Sequence, residues 1–225
     1  MTDRDTVNMT ERMKVTTCLN PLHTALAVYG CLLGYKKICD EMKDPDLVRL
    51  IRTIGYDEGL PVVTDPGILS PKAFIDEVVN ERFPNPFMPD TPQRIATDTS
   101  QKIPVRFGET IKSYVNDPTR DAGTLRAIPL AIAGWLRYLM GVDDNGDPMD
   151  VSPDPMLDEL QAALRDVKLG DPHSAEGKLD GILDNPNLFG VSLVEAGLAE
   201  RVKQDFEALI AGPGAVRKVI RNSEF

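Results

Sequence analysis

From Pro21 to Tyr35 the chain is apolar at nearly every position, with only His23 and Thr24 conventionally polar. A helix apolar on all sides offers no face to water, so this stretch predicts a buried central helix running from Asn20-Pro21 to near Gly34. Asn is a favoured N-cap, and proline is preorganised for the first helical position. At about 15 residues the run is too short to span a bilayer, and no second segment resembles it.

Around this core helix the polar and apolar positions predict further helices. Thr6–Thr17 forms a short one, and Asp46–Gly55 places Leu47, Leu50, Ile51 and Ile54 on one face at i, i+3, i+4 and i+7. Ser70-Pro71 opens a helix with Ala73, Phe74, Ile75, Val78, Val79 and Phe83 on its apolar side, and Pro84 stops it. After the non-helical Asn85–Pro89, Asp90 or Thr91 caps a helix with Pro92 in its first turn, running toward Ser100. Phe107–Val115 is short, whereas Thr124–Met140 is a second strongly apolar helix. Helices over Pro153–Leu169, Leu179–Leu183 and Leu193–Ile210 follow, and a last one ends near Arg221. No alternating run is long enough for a sheet. The expected class is all-α: one domain over residues 1–225, on the order of ten helices and no internal repeat.

Composition removes several function classes. The net charge of -10 and pI near 4.7 argue against nucleic acid and anionic membrane surfaces as partners, since both require clustered Lys and Arg. Cys18, Cys31 and Cys39 lie in or beside apolar sequence and read as reduced core thiols. The stretch MTDRDTVNMTERM has no apolar h-region, which places the protein in the cytoplasm. The acidic loop Val142–Asp158 spaces Asp143, Asn145 and Asp147 like the first ligands of a calcium loop, but Pro148 stands where glycine is required; no metal is expected.

Candidate chemistry gathers at two motifs. Lys14, Asn20 and His23 follow a K-x5-N-x2-H pattern, and Asn20 and His23, three apart on a helix, point into one pocket. Lys14 converges with them only if the chain kinks or bulges near Thr16–Leu19, which Pro21 favours because its ring disfavours a helical carbonyl at Thr17. The trio suits metal-free oxidation of a secondary alcohol. A lysine held neutral by burial accepts the hydroxyl proton while hydride leaves for a nicotinamide, and Asn and His donate to the oxygen. Plainer readings stand beside this one: Asn20 as an N-cap, His23 as a hydrogen-bonded core histidine and Lys14 as a solvated lysine. In the second motif, Pro89 to Lys102, Arg94 and Lys102 suit the hydroxyls or carboxylate of an anionic sugar; the plainer alternative is an Arg94–Asp98 helix pair and a solvated Lys102.

Together MKVTTCLNPLHTALAVYGCLLGY and NPFMPDTPQRIATDTSQKIPVR resemble the C-terminal domain of the polyol-specific long-chain dehydrogenases, the mannitol dehydrogenase family, and most of all its fructuronate reductase (D-mannonate oxidoreductase) branch. The resemblance covers essentially the whole chain. It implies an all-α substrate domain packed against an N-terminal NAD-binding Rossmann domain, with Lys14 as general base, Asn20 and His23 holding the reacting oxygen, and Arg94 and Lys102 binding the sugar acid or polyol. The chain departs from the family by having five residues between Lys and Asn where the mannitol dehydrogenases place four. It also contains no G-x-G-x-x-G fingerprint, so NAD is expected to be bound mainly by a domain absent from this chain, and the chain alone is expected to be inactive. Mannitol, altritol or tagaturonate specificity, or a non-catalytic helical scaffold, are the alternatives. Fragment and scaffold alike predict an exposed apolar patch where a Rossmann domain docks.

Overall fold

The computed structural model describes residues 3–225; Met1 and Thr2, at the start of the charged N-terminal stretch, lie outside the described residues. In chain order the helices are α1 (Arg4–Met13), α2 (Asn20–Leu32), α3 (Ile38–Glu41), α4 (Pro45–Arg52), α5 (Pro71–Glu77), α6 (Pro92–Ile95), α7 (Thr99–Ile103) and α8 (Glu109–Asn116). They continue with α9 (Ala127–Leu139), α10 (Leu157–Leu164), α11 (Asp180–Leu183), α12 (Pro186–Phe189), α13 (Ala199–Leu209) and α14 (Ala215–Asn222). Among the described residues there is no strand, only two isolated bridges, so the all-α class holds. No described helix is long and apolar enough to cross a membrane.

α2 and α9 form the centre, as their apolar sequences require. All of α9, including Arg137, is buried, and so is α2 from Leu22 to Leu32 apart from His23. α9 packs against α2 on one side and α13 on the other. The α2–α9 contact depends on a missing side chain: a Cβ on Gly134 would lie 2.5 Å from Cζ of Tyr29, whose hydroxyl donates to the Leu130 carbonyl at 2.7 Å. Arg137 is tolerated inside because its guanidinium donates to the carbonyls of Leu209, Val142 and Asp143. The acidic loop after α9 is a clasp, in which Asp144 accepts from the amides of Val216 and Arg217 and so caps α14.

Several boundaries differ from the periodicity. Thr6–Thr17 is not one helix: α1 ends at Met13 and a π-helical turn occupies Lys14–Cys18. Similar turns follow α4 (Thr53–Gly59), α5 (Val78–Arg82) and α7 (Pro104–Gly108). They keep the i, i+3, i+4 face while adding a residue, which apolar spacing alone does not register. The helix expected from Asp90 or Thr91 to Ser100 breaks into α6 and α7 because Asp98 adopts a left-handed conformation, φ 54°. α10 and α13 are shorter than expected, and α4 starts at Pro45 rather than Asp46, capped by Asp44.

Candidate active site

The two motifs meet around the start of α2. The chain enters through the π-helical turn, where the amide of Leu19 donates to the Lys14 carbonyl at 3.1 Å, five residues back. Leu19 itself leaves the helical region, at φ -130° and ψ -64°. The four-residue ladder resumes when the His23 amide donates to the Leu19 carbonyl at 3.0 Å. Pro21 has no amide hydrogen to give the Thr17 carbonyl, which is why the ladder changes here. The bulge therefore falls where convergence of Lys14 with Asn20 demanded one. Asn20, however, is not a side-chain cap: Leu19 occupies that position, and Asn20 is already in the first turn of α2.

His23 lies one turn beyond Asn20, its side chain 15% exposed. Its ring stacks at a tilt on Phe83, centroids 5.0 Å apart, and Nε2 stands 3.6 Å from Asp90 Oδ2. That separation is too long for a hydrogen bond, and Nε2 has no partner within the protein. Burial lowers the imidazole pKa to about 4 against the opposing charge of Asp90, and Arg106, Arg94 and Arg82 lower it further. His23 is therefore neutral at pH 7, and its Nε2 is buried and unpaired among the described residues. It is not a hydrogen-bonded core histidine.

Lys14 sits upstream of the bulge. Its ammonium pairs with Glu11 at 3.1 Å and lies 6.0 Å from the Phe74 ring centroid. The side chain is 31% exposed, so these residues alone do not supply the burial expected of a neutral lysine, and no hydrogen bond joins it to Asn20 or His23. Phe74 of α5 also has the Arg82 guanidinium 5.9 Å from its centroid, one residue from the Phe83 that stacks on His23. The α5 segment thus lines both halves of the trio.

Arg94 pairs with Asp90 rather than with Asp98 as expected, because the break at Asp98 removes the i, i+4 geometry. It is 62% exposed and shares Asp90 with His23. Lys102 is not simply solvated. Its ammonium donates to the carbonyls of Thr97 and Ile95, and burial followed by the charge of Arg106 lowers its pKa. Arg94 on α6 and Lys102 on α7 thus share no partner.

Two further residues belong to the site. Arg106, in the π-helical turn after α7, donates through Nη1 to Thr24 Oγ1, and burial lowers its pKa to about 10. Thr24 passes the bond on, donating to the Asn20 carbonyl at 2.9 Å. Sequence pattern gave Arg106 no role; a cation four residues after Lys102 was the available signal. α7 is held firmly, since Asp154 accepts from the Ser100 amide at 2.7 Å and Trp135 Nε1 donates to Thr99 at 2.9 Å. In a chain of net charge -10, Arg82, Arg94 and Arg106 lie near a neutral histidine, with Lys102 close to Arg106, an arrangement fit for an anion with hydroxyl groups. Beside it Phe87 is 92% exposed and Met88 40%, and Ile68 and Leu69 are exposed just before α5.

The sequence profile of the mannitol dehydrogenase C-terminal domain matches residues 6–210. The chain is 59% identical over 220 residues to a D-mannonate oxidoreductase of Thermotoga maritima, covering 98% of this chain and 41% of that protein. It is 34% identical over 151 residues to a D-mannonate oxidoreductase of Escherichia coli, covering 67% of this chain and 30% of that one. Among solved structures it resembles Pseudomonas fluorescens mannitol 2-dehydrogenase, in a ternary complex with NAD and D-mannitol, with a TM-score of 0.75 at 24% identity over 96% of this chain and 42% of that one. The chain spans less than half the length of these relatives.

Proposed function

This chain belongs to the mannitol dehydrogenase family, whose C-terminal domain it matches, and on that premise we propose that it is the substrate-binding and catalytic part of an NAD-dependent oxidoreductase interconverting D-fructuronate and D-mannonate. The observation that carries the reading is 59% identity to a D-mannonate oxidoreductase across nearly the whole chain. The surplus of cations around His23 favours a sugar acid over an uncharged polyol.

In this reading the Lys14 amine accepts the hydroxyl proton of the alcohol, leaving a ketone, and returns it in the reductive direction. Asn20 and neutral His23 donate hydrogen bonds to the oxygen as negative charge develops on it. Arg94 and Lys102 hold the remainder of the sugar acid. The residue that this chain has in excess of the family between Lys14 and Asn20 is absorbed by the i, i+5 turn, so Lys14 keeps the approach to Asn20 that a four-residue interval gives an unbroken helix. NAD supplies hydride transfer. The described residues contain no strand and hence no strand-to-helix turn to cradle a dinucleotide pyrophosphate, so we assign its binding to an N-terminal Rossmann domain. Exposed Phe87, Met88, Ile68 and Leu69 suit the docking of such a domain, which would also cover Lys14. The free, buried Cys18, Cys31 and Cys39 suit the cytoplasm.

The test is turnover of fructuronate with NADH by this chain, alone and fused behind the N-terminal half of the Thermotoga maritima relative, with Lys14→Ala as control. Activity in the fusion only, reduced by about a hundredfold or more in the control, is expected. No turnover in the fusion, or an unaffected control, overturns the reading.

A further inference from the structure

Arg106 is a half-buried charge without a counter-charge. Its guanidinium has five donors in a rigid fork, and the only hydrogen bond it makes among the described residues is to the Thr24 hydroxyl. Arg137, fully buried, shows how such a group is normally satisfied, with three backbone carbonyls around it. No carbonyl plays that part for Arg106, and among the described residues no carboxylate forms an ion pair with it. The acids of the neighbouring segments are engaged elsewhere: Asp90 with Arg94, Glu109 with Arg12 and Lys112, and Asp154 with Thr99 and Ser100. Lys102, one helical turn earlier, differs in having carbonyl partners, and it too forms no ion pair among the described residues, Asp98 and Asp154 acting on it only from farther off. Both cations lie close enough to interact, since the charge of Arg106 disfavours protonation of Lys102 and of His23.

A half-buried cation without a counter-charge has lost part of its hydration, and a site that holds two of them side by side is complete only when an anion arrives. We propose that Arg106, beside Lys102, receives the carboxylate of the sugar acid and so selects aldonate or hexuronate over an uncharged polyol. Through Thr24 the same guanidinium is linked to the Asn20 carbonyl, so the carboxylate end and the reacting end of the substrate are set against one helix turn. A polyol offers hydroxyls, which do not return the charge lost on desolvation, and the site thereby discriminates against it. This inference rests on the dehydrogenase reading above and deepens it by assigning the carboxylate to a residue that reading does not name.

The experiment is calorimetric titration of this chain with D-mannonate and with D-mannitol, for the native sequence, Arg106→Gln and Arg106→Lys, each checked for an intact thermal transition. The native chain should prefer mannonate. Arg106→Gln should weaken mannonate binding by about tenfold to a hundredfold and leave mannitol nearly unchanged. Arg106→Lys, which keeps the charge, should recover part of the preference. A preference intact in Arg106→Gln, or lost equally in Arg106→Lys, overturns the inference, the latter making Arg106 a structural pin. Failure of the native chain to bind mannonate also overturns it, and turnover by the fused enzyme then shows independently whether the dehydrogenase reading stands.

Discussion

The Leu19 amide and the Lys14 carbonyl, 3.1 Å apart and five residues distant in sequence, fix how the catalytic candidates are presented. An extra residue in a helix either rotates everything upstream by about 100° or is looped into a wider turn that leaves both flanks in place. Here it is looped. Deleting Val15, a half-buried member of the turn, should convert the wide turn to i, i+4 pairing, apart from the gap that Pro21 leaves, and keep Met13 buried. Unfolding free energy from urea titration should then change by no more than about 2 kcal/mol. Loss of the cooperative transition would show that the bulge is required for the fold, not a tolerated insertion.

His23 gives the second prediction. Its folded pKa, about 4, lies below the usual 6.5, so the unfolded chain binds more protons between those values. Stability contributed by neutral His23 is complete above pH 6.5 and is lost as pH falls toward 4, amounting to roughly 3 kcal/mol by the bottom of that window. His23→Gln should flatten that part of the profile. The chain has two histidines, so proton NMR separates them readily, and a His23 resonance titrating near 6.5 would contradict a buried neutral imidazole.

The central helix, its burial and the bulge before it were legible because each follows from local facts: an apolar run, a proline, and a spacing that forbids convergence without a kink. The same reasoning misplaced the Arg94 partner. The left-handed Asp98 that ends α6 is held by its amide donating to Pro153, far away in sequence, and no local pattern signals that contact. Arg106 escaped for a similar reason. Its importance lies in the absence of an acid around it, and the elements that fail to provide one are brought together only by the fold. Propensity reports what a residue prefers locally, whereas an unpaired charge is a property of packing.

Gly134 tests the central packing. A Cβ there would meet the Tyr29 ring at 2.5 Å, and that ring is fully buried with its hydroxyl bonded to Leu130. Gly134→Ala gains helix propensity but must displace the ring, so a net loss of about 1–3 kcal/mol is expected. Adding Tyr29→Phe should recover part of it by removing the hydroxyl from the clash. A stabilised Gly134→Ala variant would mean that α2 and α9 separate easily, contrary to a close-packed centre.

Glu41 provides the last prediction, and its sign is opposite to that of His23. The carboxyl is fully buried against Gly30, where a Cβ would lie 2.1 Å from Oε1, and neither oxygen has a hydrogen-bond partner within the protein. Burial, reinforced by the charge of Asp44, raises its pKa from 4.5 to about 9, so at pH 7 the folded protein holds a proton there that the unfolded chain has released. The folded state binds more protons across that window, and stability falls as pH rises from 4.5 to 9, with roughly 3 kcal/mol lost by pH 7. Glu41→Gln keeps the shape and cannot ionise. Its urea midpoint relative to the native chain should therefore rise steadily between pH 5 and pH 9 and be nearly level below pH 4.5. A constant difference between the two proteins across that range would mean that Glu41 is ionised in the folded state, with a compensating partner that its surroundings do not show.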